Sequence, residues 1–138
     1  SFPGISVLEV EFNLHNQEAA FKLFPLLEKK QMGIVVKVPL ARGLLTKNGK
    51  VKTGSFSYNE KPDLKYKENL EKLENEINKK ILPEAAIRFI LEYQQVSTFI
   101  VGTRSITHLK ENLRILSNPN LSYKELEKVY KTYSPKKE

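Results

Sequence analysis

Three short apolar runs, at residues 5–12, 34–38 and 98–101, are each followed by stretches whose apolar residues recur at helical spacing. This alternation constrains the chain more than any other feature. Strands so far apart cannot be joined by hairpins, so it predicts parallel strands linked by crossover helices, in an open sheet or a barrel. In the first run Leu8, Val10 and Phe12 alternate with Glu9 and Glu11, which predicts a strand with one face toward solvent, a ligand or another layer. The runs at 34–38 and 98–101 are short enough to be buried strands. Ala20, Leu23, Phe24 and Leu27 mark a helix over 18–30, with a late start or a kink at Pro25 and a stop at Gly33. Leu70, Leu73, Ile77 and Ile81 form the buried stripe of a second helix. Pro83 opens a third, whose Ala86, Phe89, Ile90 and Tyr93 face inward. After a break at Asn118, Pro119 and Asn120, Ser122 and Glu125 have the spacing of a capping box. The helix behind them carries Leu126, Val129, Tyr130 and Tyr133 on one face. The fold class is therefore α/β, but three parallel strands cannot close a barrel, and so narrow an open sheet leaves two bare edges.

The turn after the third run is a place to hold an anion. Gly102 and Thr103 let the chain reverse, and Ser105 suits the N-cap of a helix with Leu109, Leu113 and Leu116 on one face. Free amides at a helix start, backed by the dipole, favour phosphate, and Arg104 adds a cationic fork. The plainer alternative is a connecting turn with a solvent-exposed arginine. Residues 46–63 lack any clear period and contain Pro62; a loop of this length is either a cover over a ligand or simply mobile.

Composition narrows the class. With 138 residues, 40% hydrophobic and 28% charged, the chain suits one compact domain or part of a larger one. No apolar run approaches the roughly 20 residues of a membrane helix, so no membrane partner is expected. The first residues show no signal for secretion, although a targeting segment upstream of Ser1 stays open. Absence of cysteine removes disulfides, thiolate metal sites and thiol nucleophiles, and fits a cytoplasmic protein. The net charge of +7 invites a nucleic-acid partner. However, Glu68, Glu71, Glu74 and Glu76 are interleaved with the lysines of 65–80, the pattern of a solvated helix face, so none is expected.

Two segments resemble the aldo-keto reductases, in the order and approximate separation of that family. Gly33-Ile-Val-Val-Lys-Val-Pro-Leu-Ala-Arg-Gly-Leu-Leu45 is similar to the family's seventh barrel strand and the turn after it. Ile100-Val-Gly-Thr-Arg-Ser-Ile-Thr-His-Leu-Lys-Glu-Asn-Leu113 looks like its eighth strand and the start of the last barrel helix, and Val10-Glu-Phe-Asn13 like the end of the sixth strand. The resemblance covers nearly the whole chain. It implies the C-terminal portion of a (β/α)8 TIM barrel, residues 1–138 forming one partial domain with three parallel strands, crossover helices and a C-terminal helix. It also explains the strand count.

By position, the resemblance implies that Pro39, Leu40, Ala41, Arg42, Gly43 and Leu45 pass close to the pyrophosphate of a nicotinamide dinucleotide. Gly43 would give the backbone room. Gly102, Thr103 and Arg104 would meet the ribose phosphate of NADP(H), Arg104 selecting it over NAD, and His108, Glu111 and Asn112 would lie around the phosphate and adenine. Residues 46–63 correspond to the loop that folds over the cofactor. Two positions depart from the pattern: Glu9 stands where many members have a glutamine bonding the nicotinamide amide, and Lys37 where an aromatic residue often stacks on the ring.

The family's catalytic Asp, Tyr, Lys and His come from the first half of the barrel, and those motifs do not occur here. No catalytic residue is expected in this chain: no tyrosine pattern marks an activated phenol, and His15 reads as a surface loop residue. Two distant histidines without carboxylates between them make no metal site. The expected function is the cofactor-binding part of a reductase of aldehydes or ketones, inactive by itself and completed by the missing N-terminal half of the barrel. The rival is a standalone, non-catalytic domain that binds nucleotide or phosphate and pairs with a second copy of itself.

Overall fold

A computed structural model describes residues 4–46, 81–117 and 119–133. Three parallel strands, β1 (Val7–Glu11), β2 (Gly33–Lys37) and β3 (Thr98–Phe99), lie side by side in sequence order. Val7 is level with Gly33 and Glu11 with Lys37; on the other side of β2, Val35 is level with Thr98 and Val36 with Phe99. The helices are α1 (Glu18–Lys22), α2 (Phe24–Lys29), α3 (Leu82–Leu91), α4 (Ile106–Ser117) and α5 (Tyr123–Tyr133). The stripe of Leu70, Leu73 and Ile77, and all but Thr46 of the long loop, lie outside the described residues.

The described helices cover one face of the sheet. Val10 and Phe12 from β1 and the residues after it, with Ile34 and Val36 from β2, are buried in one cluster with Phe24, Leu82, Ala86, Phe89, Ile90, Leu126 and Val129. At its centre Phe12 meets Phe24, Phe89 and Tyr93, with ring centroids 4.9, 5.4 and 4.8 Å away. On the opposite face Val7, Glu9, Lys37, Thr98 and Ile100 are exposed. A doubly wound sheet packs helices on both faces; helices on one face only are the pattern of a barrel segment.

Local chemistry decides where elements end. The expected kink falls at Leu23, between α1 and α2, where Pro25 enters the first turn of α2 without an amide to lose. Gly33 does not stop that helix as expected. Gln31 does, with φ 53°, while Gly33 is the first residue of β2 and donates its N–H to Ser6 O at 2.8 Å. Position 33 is also close-packed: a Cβ there would sit 3.2 Å from Val7 Cγ2, so Val7 would have to shift slightly to admit one. The expectation of a buried strand at 98–101 also fails. Regular pairing of β3 covers only Thr98 and Phe99, with Ile100 N–H adding a bond to Val36 O at 2.9 Å, and Ile100 stays 54% exposed. The far edge of β3 has no neighbouring strand among the described residues.

A buried carboxylate ties the helical layer together. Glu84, on α3, accepts from the N–H groups of Asn120 and Leu121, both at 2.7 Å, and Arg88 donates to Leu121 O at 2.6 Å. The break after α4 is thereby anchored to α3. The capping box before α5 forms as expected, Ser122 N–H donating to Glu125 Oε2 at 2.8 Å and Glu125 N–H to Ser122 Oγ at 3.4 Å.

Candidate functional site

Both candidate turns leave the C-terminal ends of adjacent parallel strands, the edge where parallel barrels place their ligand-binding loops. After β2 the chain turns sharply: Val38, Ala41, Arg42 and Gly43 have φ of 58, 46, 56 and 100°. The left-handed region is ordinary for Gly43 and unfavourable for a β-branched valine. Asn13 holds Val38 there. It is buried beneath the turn, donating from Nδ2 to Val38 O at 3.0 Å and accepting the N–H groups of His15 and Asn16 at Oδ1. In the sequence Asn13 reads only as the end of a strand; asparagine's habit of closing turns with its side chain is the signal for its second role.

The expected cofactor residues on this turn divide in two. Pro39 and Ala41 are buried and Leu45 belongs to the core, so these three can meet a ligand only through backbone. Leu40 and Gly43 are half-buried, and Arg42 is exposed with Nη2 3.8 Å from Glu11 Oε2. Thr46 closes the turn, its hydroxyl donating to Gly43 O at 2.6 Å.

The second turn has the expected caps. Thr103 Oγ1 accepts from Ser105 N–H at 3.2 Å, and Ser105 Oγ accepts from His108 N–H at 3.3 Å at the start of α4. Arg104 is exposed beside it, and nothing lies within 4 Å of where a Cβ on Gly102 would be. His108 and Glu111 are exposed and Asn112 half-buried, stacked one turn apart on α4. Gly43 with its positive φ on the first turn, and the capped helix start with exposed Arg104 on the second, are groups that could receive an anion.

Three of the tyrosines are held in their neutral form by burial. Burial pushes the Tyr93, Tyr130 and Tyr133 hydroxyls up, away from neutrality, with the charge of Glu92 adding to the effect at Tyr93 and Tyr130. Tyr58 and Tyr66 lie outside the described residues. His15 lies in the loop after β1, as expected, and is partly exposed. Among the described residues no group of three or more His, Asp or Glu side chains could hold a metal ion, and no helix is long and apolar enough to cross a membrane.

The fold is part of a parallel α/β barrel, with two polar turns at the C-terminal ends of its strands. The model of the aldo/keto reductase family matches residues 1–133, and the chain belongs to that family. It is 28% identical over 98 residues to L-galactose dehydrogenase of Arabidopsis thaliana, covering 71% of this chain and 30% of that protein. The aldo-keto reductase of Bacillus halodurans, 23% identical, superposes with a TM-score of 0.66 in its apo form and 0.67 in its holo form. These superpositions cover 93% and 94% of this chain but 43% of the other in each case. The chain thus spans less than half the length of these relatives, and the fold it forms is a partial barrel.

Proposed function

We propose that residues 1–138 form one partial domain, the cofactor-binding C-terminal part of an NADP(H)-dependent aldo-keto reductase. The complete barrel reduces aldehydes or ketones. The observation that carries this is the pairing of the two turns at the C-terminal ends of β2 and β3, one with Gly43 at φ 100° and one ending at the Ser105-capped start of α4. The bound nicotinamide supplies the hydride. The backbone at 39–45 holds the pyrophosphate, Gly102, Thr103 and Arg104 hold the ribose phosphate, and His108, Glu111 and Asn112 flank the adenine end. Arg104 favours NADP over NAD because a guanidinium gains a charge-assisted pair with the extra phosphate.

The proton for the carbonyl oxygen comes from the rest of the barrel. The raised tyrosines support this division, since none is tuned to release a proton near neutral pH. The lack of cysteine supports a cytoplasmic setting. The test is turnover. The 138-residue chain alone is expected to oxidise no NADPH with an aldehyde, and the full-length protein to do so; turnover by the chain alone contradicts the proposal. A second arrangement, a homodimer of half-barrels that binds nucleotide without catalysis, is favoured by one observation, the exposure of Ile100, Leu109 and Leu113 along β3 and α4. Sedimentation of the chain as a stable monomer would rule it out.

A further inference from the structure

The backbone ladder between β1 and β2 ends with Phe12 N–H donating to Lys37 O at 3.4 Å. One residue further on, Asn13 continues it with its side chain, Nδ2 donating to Val38 O at 3.0 Å. That carbonyl also accepts the N–H of Ala41 at 3.0 Å, so both its lone pairs are engaged. Asn13 Oδ1 accepts from the N–H groups of His15 and Asn16 at 3.0 and 2.8 Å, and the residue is 1% exposed. One buried amide therefore fastens the loop after β1 to the turn after β2.

The turn it fastens is one that would not keep its shape unaided. Val38, Ala41 and Arg42 all hold positive φ without being glycine, and such backbone persists only where its surroundings impose it. A plain connection out of a strand does not require a left-handed valine. Pro39 and Ala41 are buried and Leu45 is in the core, so a ligand on this turn meets backbone there, and the shape of the backbone is the shape of the seat. We propose that Asn13 is a positioning residue for the dinucleotide: from beneath the turn, acting through Val38, it sets the path of the backbone at 39–45 that meets the pyrophosphate. This rests on the cofactor seat of the reductase proposal above and deepens it. Both nicotinamide cofactors carry the pyrophosphate. Asn13 therefore governs affinity for NADPH and NADH alike, whereas Arg104 reads only the difference between them.

The test is binding to the full-length protein of NADPH, NADH and 2′-AMP, the last having the ribose phosphate and no pyrophosphate. Asn13→Ala is expected to weaken NADPH and NADH each about tenfold and to leave 2′-AMP binding as it was. Asn13→Asp, which keeps the shape and the acceptors but loses the donor, is expected to give the same pattern, and is the variant to read if Asn13→Ala does not fold. Adding Val38→Gly to Asn13→Ala is expected to restore most of the NADPH affinity, since glycine holds a φ of 58° without the tie. Unchanged affinity for both dinucleotides overturns the proposal. So does an equal loss for 2′-AMP, which marks a general loosening, or a failure of Val38→Gly to restore binding. A full-length protein that binds NADPH but reduces no aldehyde overturns the reductase reading alone; one that binds neither cofactor overturns both.

Discussion

Helices α3 and α4 have the same kind of amphipathic sequence and opposite fates. On α3 Leu82, Ala85, Ala86, Ile87, Phe89 and Ile90 are all buried. On α4 Ile115 is buried, while Ile106, Leu109, Leu113 and Leu116 remain exposed. The partner of α3 is inside this chain: Phe12, Phe24 and Tyr93 close around Phe89. That of α4 is not found among the described residues. A stripe of leucines records that something covers a helix without saying whether the same stretch of chain supplies it.

The comparison breaks most easily at Phe89. Its replacement by alanine is expected to cost about 3–5 kcal/mol in denaturant unfolding of the full-length protein, because the ring stacks between neighbours that cannot collapse into the space. A loss below 1 kcal/mol would mean that the α3 core is looser than the structure shows. Leu113→Ala separates the two helices more directly. In the 138-residue chain it is expected to cost less than about 0.5 kcal/mol, the usual range for exposed positions, and in the complete barrel about 2–3 kcal/mol. Equal costs in both would show that the stripe on α4 has no partner in the rest of the protein.

Next in size is the anchor between the helices. Glu84→Ala leaves the amides of Asn120 and Leu121 without their acceptor and is expected to cost about 1–3 kcal/mol by the same measurement. Ser122→Ala, which removes an exposed cap, should cost about 1 kcal/mol. The smallest effect is a pH dependence. Hydrogen bonds from the Ser122 side chain and backbone hold the Glu125 carboxyl below its usual value of 4.5. A depressed carboxylate stabilises the fold above that value and loses the contribution as pH falls through its lowered one. Helix α5, followed by circular dichroism, is thus expected to loosen slightly below pH 4.5, and less so in Ser122→Ala.

Much of this was legible in the sequence because the signals are local. The strand and helix order, the kink at Pro25 and the box between Ser122 and Glu125 each depend on residues a few positions apart. What was hidden depends on residues far apart. Gly33 looked like a helix stop because it follows a helix, but it opens β2 and packs close against Val7 and Ser97 across the sheet. Val38 adopts a conformation its side chain disfavours because Asn13, 25 residues away, holds its carbonyl. The burial of Glu84 could not be foreseen from a helix surface pattern, since the amides it serves lie 36 and 37 residues further on. At the candidate site the sequence located both turns, but not that Ala41 and Leu45 face the core while Arg42 faces Glu11.

The central claim is that the turn after β3 holds the phosphate that distinguishes NADP from NAD. Its most direct test is the binding of NADPH and NADH to the full-length protein and to its Arg104→Ala variant, followed by quenching of protein fluorescence. The account predicts that NADPH affinity falls by about 1–3 kcal/mol, the worth of a lost charge-assisted contact, while NADH affinity is nearly unchanged. Equal losses for the two cofactors would contradict it.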